Sequence, residues 1–158
     1  MAQVNFIPTG YHTVTPSLIV RGGKSALAFY KDAFGAKELG AMYMPDGEKL
    51  MHAEIQIGDS RVMLGEESPE MGMTSPQTLG GSSTSLNIYT EDCDALYKRA
   101  VSAGAKSTME PADMFWGDRY SKVTDPFGHV WGILTHKEDV SEDEMGRRAQ
   151  EWMSSLNK

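Results

Sequence analysis

The dipeptide Ala26-Leu27 is followed after seven residues by Gly35-Ala36-Lys37, and the same arrangement recurs as Ala95-Leu96 and Gly104-Ala105-Lys106. The offset from Ala26 to Ala95 is 69 residues, and strand-like stretches flank both copies in the same order. A period of this length marks a repeated supersecondary unit. One such unit holds a half-open sheet and a single helix, which is too little to bury its own apolar face, so the two copies must share a core.

In the first copy, Pro16 to Val20 reads as a strand with Leu18 and Val20 apolar at alternate positions. Ser25 to Phe34 reads as a helix, with Leu27, Tyr30 and Phe34 at three- and four-residue spacing and Gly35 at the C-terminal cap. Lys37 to Met44 reads as a strand, Pro45 to Glu48 as a turn, His52 to Ile57 as a strictly alternating strand, and Arg61 to Leu64 as a fourth strand. Residues 66–83, rich in Pro, Gly, Ser and Thr, read as a flexible linker. The second copy then gives a strand at Ser85 to Tyr89, a helix from Asp92 to Ala103, a short strand near Lys106 to Met109, and strands at Arg119 to Thr124 and Val130 to Leu134.

The expected fold is therefore α+β: two βαβββ modules forming a curved mixed sheet around a cleft, plus a C-terminal helix. Residues 1–138 form one domain of two modules, 14–65 and 84–136, joined by the linker; residues 139–158 form the amphipathic tail helix. Ser141 and Glu144 have the spacing of a capping box, and Met145, Ala149, Trp152, Met153 and Leu156 form an apolar stripe. That stripe is to be buried on its own domain or on a second subunit.

Composition narrows the function classes. With 15 basic and 22 acidic side chains the chain carries a net charge of −7, which argues against a nucleic-acid partner. No run of about 20 apolar residues is present, so no membrane-spanning helix is expected. The N-terminal residues have neither the basic end nor the apolar stretch of a signal peptide. The lone Cys93 permits no internal disulfide and no cysteine-built zinc site, which points to a reducing, cytoplasmic setting. Its acidic neighbours raise its pKa and count against a nucleophilic role. Neither Arg21-Gly22-Gly23-Lys24 nor Gly80-Gly81-Ser82-Ser83 has the spacing of a phosphate-binding loop.

The duplicated module, the run Ala26 to Ala36, and the ending Asp125-Pro126-Phe127-Gly128-His129-Val130-Trp131 together resemble the vicinal oxygen chelate superfamily of glyoxalases, bleomycin-resistance proteins and dioxygenases. His52-Ala53-Glu54-Ile55, Met63-Leu64 and Phe115-Trp116-Gly117-Asp118-Arg119 are similar to its PhnB-like branch. The resemblance implies the fold, a homodimer, and, in the enzymes, a divalent metal held by His or Glu on the cavity face of four strands. Here those positions fall on Thr15, Ser85, Met63 (Val62 if the register slips) and Gly132, which offer no such donor set. The expectation is a small-molecule-binding protein with no cofactor and no metal at the usual site. The alternative is a glyoxalase or isomerase-type lyase with a relocated site, and a divalent metal is then the open possibility.

Strand parity supplies the candidates. Ala53, Ile55 and Ile57 are assigned to the helix layer, which turns His52, Glu54 and Gln56 to the cavity face. His52 and Glu54, two residues apart, are the candidate acid–base pair, or two metal donors. The same alternation brings Ser17, Asn87 and Tyr89 to that face. Trp116 and Arg119 complete the expected ligand-binding set, the indole to stack and the guanidinium to anchor an anion. His12, His129 and His136 are read as solvated or structural.

Overall fold

The computed structural model describes residues 4–156; residues 1–3 of the N-terminal segment and 157–158 of the tail lie outside the described residues. The first module is β1 (Ser17–Val20), α1 (Gly23–Phe34), β2 (Lys37–Tyr43), β3 (Leu50–Ile57) and β4 (Ser60–Glu66). A 3-10 turn (Pro69–Met71) and the short α2 (Pro76–Leu79) occupy the connection. The second module is β5 (Ser85–Tyr89), α3 (Cys93–Ser102), β6 (Lys106–Asp113), β7 (Asp118–Thr124) and β8 (Val130–His136), followed by α4 (Glu142–Leu156). The α+β architecture of two βαβββ modules is present. Its mixed sheet consists of two four-stranded halves, ordered β1-β4-β3-β2 and β5-β8-β7-β6. In each half the first strand lies parallel to the last and the remaining pairs are antiparallel.

Helix α1 shows how the sequence sets the local structure. Its buried side includes Leu27, Phe29, Tyr30 and Phe34, a wider stripe than the three-residue spacing alone marks. It ends at Gly35 in the left-handed conformation, φ 67°, as the glycine spacing requires. It begins two residues earlier than expected, at Gly23, because the Glu66 carboxylate accepts the amides of Gly22 (2.6 Å) and Gly23 (2.9 Å). A carboxylate there satisfies free N–H groups and complements the helix dipole. Gly23 also lets the helix approach β3, since a Cβ would fall 2.3 Å from Cβ of Leu50.

The modules join through one aromatic and carboxylate core. Phe29, Tyr30 and Phe34 of α1 meet Phe127 and Trp131 of the second module, with Phe34 and Trp131 centroids 4.8 Å apart. Asp125, only 4% exposed, sits among them. It accepts hydrogen bonds from Tyr30 Oη (2.7 Å), Trp131 Nε1 (2.9 Å), and the amides of Phe127 and His129 (2.9 Å each). Burial and this carboxylate push the Tyr30 phenol well up from its ordinary pKa. On the outer side, Arg99 of α3 donates to the terminal carbonyls of α1, Asp32 (2.6 Å) and Lys31 (3.1 Å).

Three further sequence expectations change. The linker is ordered: Glu67 accepts from the Ser75 hydroxyl (2.5 Å) and amide (2.7 Å) and from Thr78 Oγ1 (2.9 Å), and faces Arg21 at 3.5 Å. These donors, Ser75 first, hold its carboxyl down to about 2. Strand β6 runs on through Pro111 to Asp113, which it can do because β6 is an edge strand with irregular pairing to β7. In the tail, Ser141 Oγ accepts from the Glu144 amide at 3.4 Å, but the Glu144 carboxylate turns to Arg147 and Arg148, so the capping box closes on one side only.

Removing one donor from a buried carboxylate costs less than removing the carboxylate and orphaning its donors. Tyr30→Phe is expected to lower unfolding free energy by about 1–2 kcal/mol and Asp125→Ala by about 3–5 kcal/mol, read by urea denaturation with an unchanged m-value.

Candidate functional site

The alternation in β3 is realised as read. Ala53, Ile55 and Ile57 are buried toward the helices, while His52, Glu54 and Gln56 occupy the opposite, concave face. Register places Ser17 beside Met63, Met63 beside Glu54, Arg61 beside Gln56, and His52 beside Met42. His52 Nε2 lies 3.5 Å from Glu54 Oε1, and the Arg61 guanidinium lies 3.8 Å from Glu54 Oε2. The N-terminal segment folds onto this cluster: the Tyr11 ring sits 4.6 Å beneath the Arg61 guanidinium. Its buried hydroxyl touches Glu54 without regular hydrogen-bond geometry. That contact, ahead of His52 and Arg61, holds the Glu54 carboxyl below the usual range and pushes the phenol up. Gly10 is favoured here because φ 83° strains any side chain with a Cβ, which would also fall 2.7 Å from the guanidinium. Gln56 is engaged locally, its amide donating to the Gly58 carbonyl at 2.9 Å.

The second module carries its own concave cluster. Register sets Asn87 beside Gly132, Tyr89 beside Leu134, and Asp118 beside His136. Asp118 is 6% exposed and accepts from His136 Nδ1 (2.8 Å), Trp116 Nε1 (3.0 Å) and Tyr89 Oη (3.3 Å). Nε2 of His136 donates to Asp139 at 3.0 Å. His136 is thus held between two carboxylates while its ring stays about half exposed, and Asp118 first and Asp139 second push its pKa up. Trp116 also packs edge-on against Phe115 and Tyr120.

Arg119 does not join this face. Neighbouring strand residues alternate sides, so with Asp118 and Tyr120 on the concave side Arg119 projects outward. There it pairs with Asp94 of α3 through Nε and through Nη2 at 2.8 Å, and with Asp113 at 3.2 Å. Its expected role as an anion anchor is corrected to that of a tie between β7, α3 and β6. His129 also has a structural role, donating from Nε2 to the Ile19 carbonyl at 2.9 Å. Cys93 is buried, with Sγ 3.2 Å from the Ile133 carbonyl, and burial pushes its thiol pKa up.

The donor set of the superfamily's metal can be tested on these registers. Thr15 precedes β1, so the position facing Met63 is Ser17; the position facing Gly132 is Asn87, not Ser85. The four positions offer a hydroxyl, a thioether, an amide and no side chain. Moreover, a Cβ on residue 132 would fall 2.2 Å from Asn87 Oδ1 and 2.9 Å from the Tyr120 ring, so a side chain there would have to displace both. Among the described residues, no three His, Cys, Asp or Glu side chains are placed to hold a metal ion. The residues do not fit the group.

Two contributors were missed by sequence reading. Tyr11 lies in an irregular segment with no period to place it. Arg61 was placed on β4 but not paired with Glu54; the tight Gly58-Asp59 turn that makes them diagonal cross-strand neighbours was the available signal.

Comparison with known proteins agrees with this architecture. Residues 11–133 match the family model described as Glyoxalase/Bleomycin resistance protein/Dioxygenase superfamily, and the chain belongs to that superfamily. An uncharacterized protein of Mycobacterium tuberculosis is 41% identical over 136 residues, covering 84% of this chain and 79% of that protein. A solved gene product of Arabidopsis thaliana has TM-score 0.62 at 28% identity, covering 78% of this chain and 98% of that one. TioX from Micromonospora sp. ML1 has TM-score 0.61 at 22% identity, covering 82% and 100% of the two chains, which bears on the fold alone. No helix among the described residues is long and apolar enough to cross a membrane.

The double clamp on His136 gives a signed pH dependence. Its folded pKa lies above the unfolded one, so the stabilisation is complete below the unfolded value, near 6.5, and is lost as pH rises through the raised folded value. In an NMR titration the His136 imidazole is expected to have a higher midpoint than the same residue in urea-unfolded protein. Asp118→Asn should lower that midpoint more than Asp139→Asn.

Proposed function

We propose that this chain is a small-molecule-binding protein of its superfamily, with the ligand held on the concave faces and without the metal set of the superfamily's enzymes. The observation that carries this reading is the facing quartet Ser17, Met63, Asn87 and Gly132, which has no pair of strong metal donors. The side chains around it suit recognition: His52 and Glu54 on one face, Asn87, Tyr89 and Trp116 on the other. The net charge of −7 favours a cationic or mixed aromatic ligand. In this reading the motifs similar to the PhnB-like branch support membership of that branch, and the single buried cysteine suits the cytoplasm. Two copies associate in this reading, which would cover exposed apolar side chains such as Met42 on the first face and Trp152, Met153 and Leu156 on α4.

A second reading rests on one distance. His52 Nε2 and Glu54 Oε1, 3.5 Å apart beside Arg61 and Tyr11, would serve a glyoxalase or isomerase-type lyase as an acid–base pair.

Thermal shift against a panel of cationic aromatic antibiotics separates the two, combined with metal analysis of protein purified without chelator. Binding is expected to raise Tm by roughly 5–10 °C at about 100 times Kd, and Tyr89→Ala to remove the shift. A stoichiometric metal that is lost in His52→Ala would overturn the metal-independent reading in favour of the second.

A further inference from the structure

Strand β5 is the edge of its half-sheet, so one row of its main-chain groups has no strand beside it. The Thr90 amide donates to the Leu134 carbonyl, and the parallel register sets Asn87 beside Gly132. Ladder bonds in a parallel pair fall on alternate residues, so Leu86, Ile88 and Thr90 turn their main-chain groups toward β8. Those of Asn87 and Tyr89 point the other way, and among the described residues no backbone group of another element bonds to them. The Asn87 carbonyl and the Tyr89 amide therefore stand side by side on the free edge, one acceptor next to one donor.

A cavity of about 510 Å³ opens on this edge, a size that suits a small molecule. The consecutive residues Leu86 to Tyr89 line it, and so does the run Ile57 to Val62 around the β3–β4 turn. Side chains alternate between the two faces of a strand, so a space touched by consecutive residues lies off the strand edges and not above a concave face. Its walls come from both modules. Ile57 and Val62 of the first and Trp131 of the second are buried, and with Leu86 and Ile88 they make an apolar interior. The formal charges on the lining, Asp59 and Arg61, are one of each sign.

We propose that this cavity binds an uncharged, flat heteroaromatic lactam, whose ring N–H donates to the Asn87 carbonyl while its carbonyl accepts from the Tyr89 amide. The walls select each part of that description. Apolar side chains from both modules gain from covering a ring system. A charged molecule would give up its hydration for an interior whose own charges cancel. A hydrocarbon of the same shape would strip water from the two main-chain groups and return no hydrogen bond. An N–H beside a C=O on one edge of the ring replaces that water at both groups together. The site is built from strand edges, whereas the reading above uses side chains on the concave faces, so the two proposals stand or fall separately.

The test is an NMR titration of uniformly 15N-labelled protein with 4-quinazolinone and with its N3-methyl derivative, which lacks the ring N–H. The parent compound is expected to give saturable shifts at the amides of Ile57 to Val62 and Leu86 to Tyr89. N-methylation is expected to weaken binding by about tenfold or more, because it removes the donor to Asn87. Tyr89→Pro deletes the edge amide without touching the ladder to β8 and should weaken binding likewise. Tyr89→Ala keeps that amide and should bind within about threefold of the unsubstituted chain. Ser60→Trp, at an exposed position of the β3–β4 turn, fills the cavity from its rim and should abolish the shifts. Absence of saturable shifts at millimolar compound, equal binding of the N-methyl derivative, or unchanged binding to Tyr89→Pro or to Ser60→Trp would overturn the proposal. So would shifts confined to His52, Glu54 and Trp116, since they would place the compound on the concave faces.

Discussion

The buried Asp125 carboxylate is the constraint on which the arrangement of the two modules rests. It lies in the turn between β7 and β8, yet one of its four donors is a hydroxyl from α1 of the other module. An isolated buried carboxylate is costly, and here every listener to its charge is a fixed donor, so the cost is offset only in one relative orientation of the modules. The aromatic rings around it supply the bulk of the shared burial, but apolar contacts tolerate sliding. The carboxylate does not. It therefore fixes how the two modules meet, and with them the relative placement of both concave faces.

Much of this was legible in the chain. The 69-residue offset gave the duplication, and strict alternation in His52 to Ile57 gave the correct face for six side chains. Parity failed at Arg119, because the cluster Trp116 to Tyr120 was treated as one group although neighbouring strand residues face opposite ways. The His136 clamp was invisible for a different reason: Asp118 and His136 become partners only through the register of β7 on β8. The ordered linker escaped because composition shows Pro, Gly and Ser as breakers and does not show a carboxylate such as Glu67 gathering them. Pairings between distant positions are settled by tertiary packing, and a one-dimensional period carries no record of them.

Side-chain chemistry is distributed unevenly over the two concave faces. The first face has a loosely joined group, with His52 about half exposed and 3.5 Å from its acid. The second has a tight one, in which a nearly buried carboxylate collects an indole, a phenol and an imidazole. The loose group can re-form around a ligand at little cost, whereas the tight group is preorganised and offers a fixed shape. A superfamily fold can thus keep its architecture while the side-chain chemistry of its concave faces varies.

The duplication itself has a final consequence. In the register that aligns Ala26 with Ala95, Tyr30 of α1 corresponds to Arg99 of α3. Tyr30 reaches inward to Asp125, while Arg99 reaches outward to the end of α1. Equivalent positions of an ancestral repeat have become opposite halves of one joint, a lock on one copy and its key on the other. Two first modules would bring two Tyr30 phenols without the Asp125 carboxylate, and two second modules two Asp125 carboxylates without Tyr30. Each module thus supplies at this junction a group that the other lacks, and the two are not interchangeable.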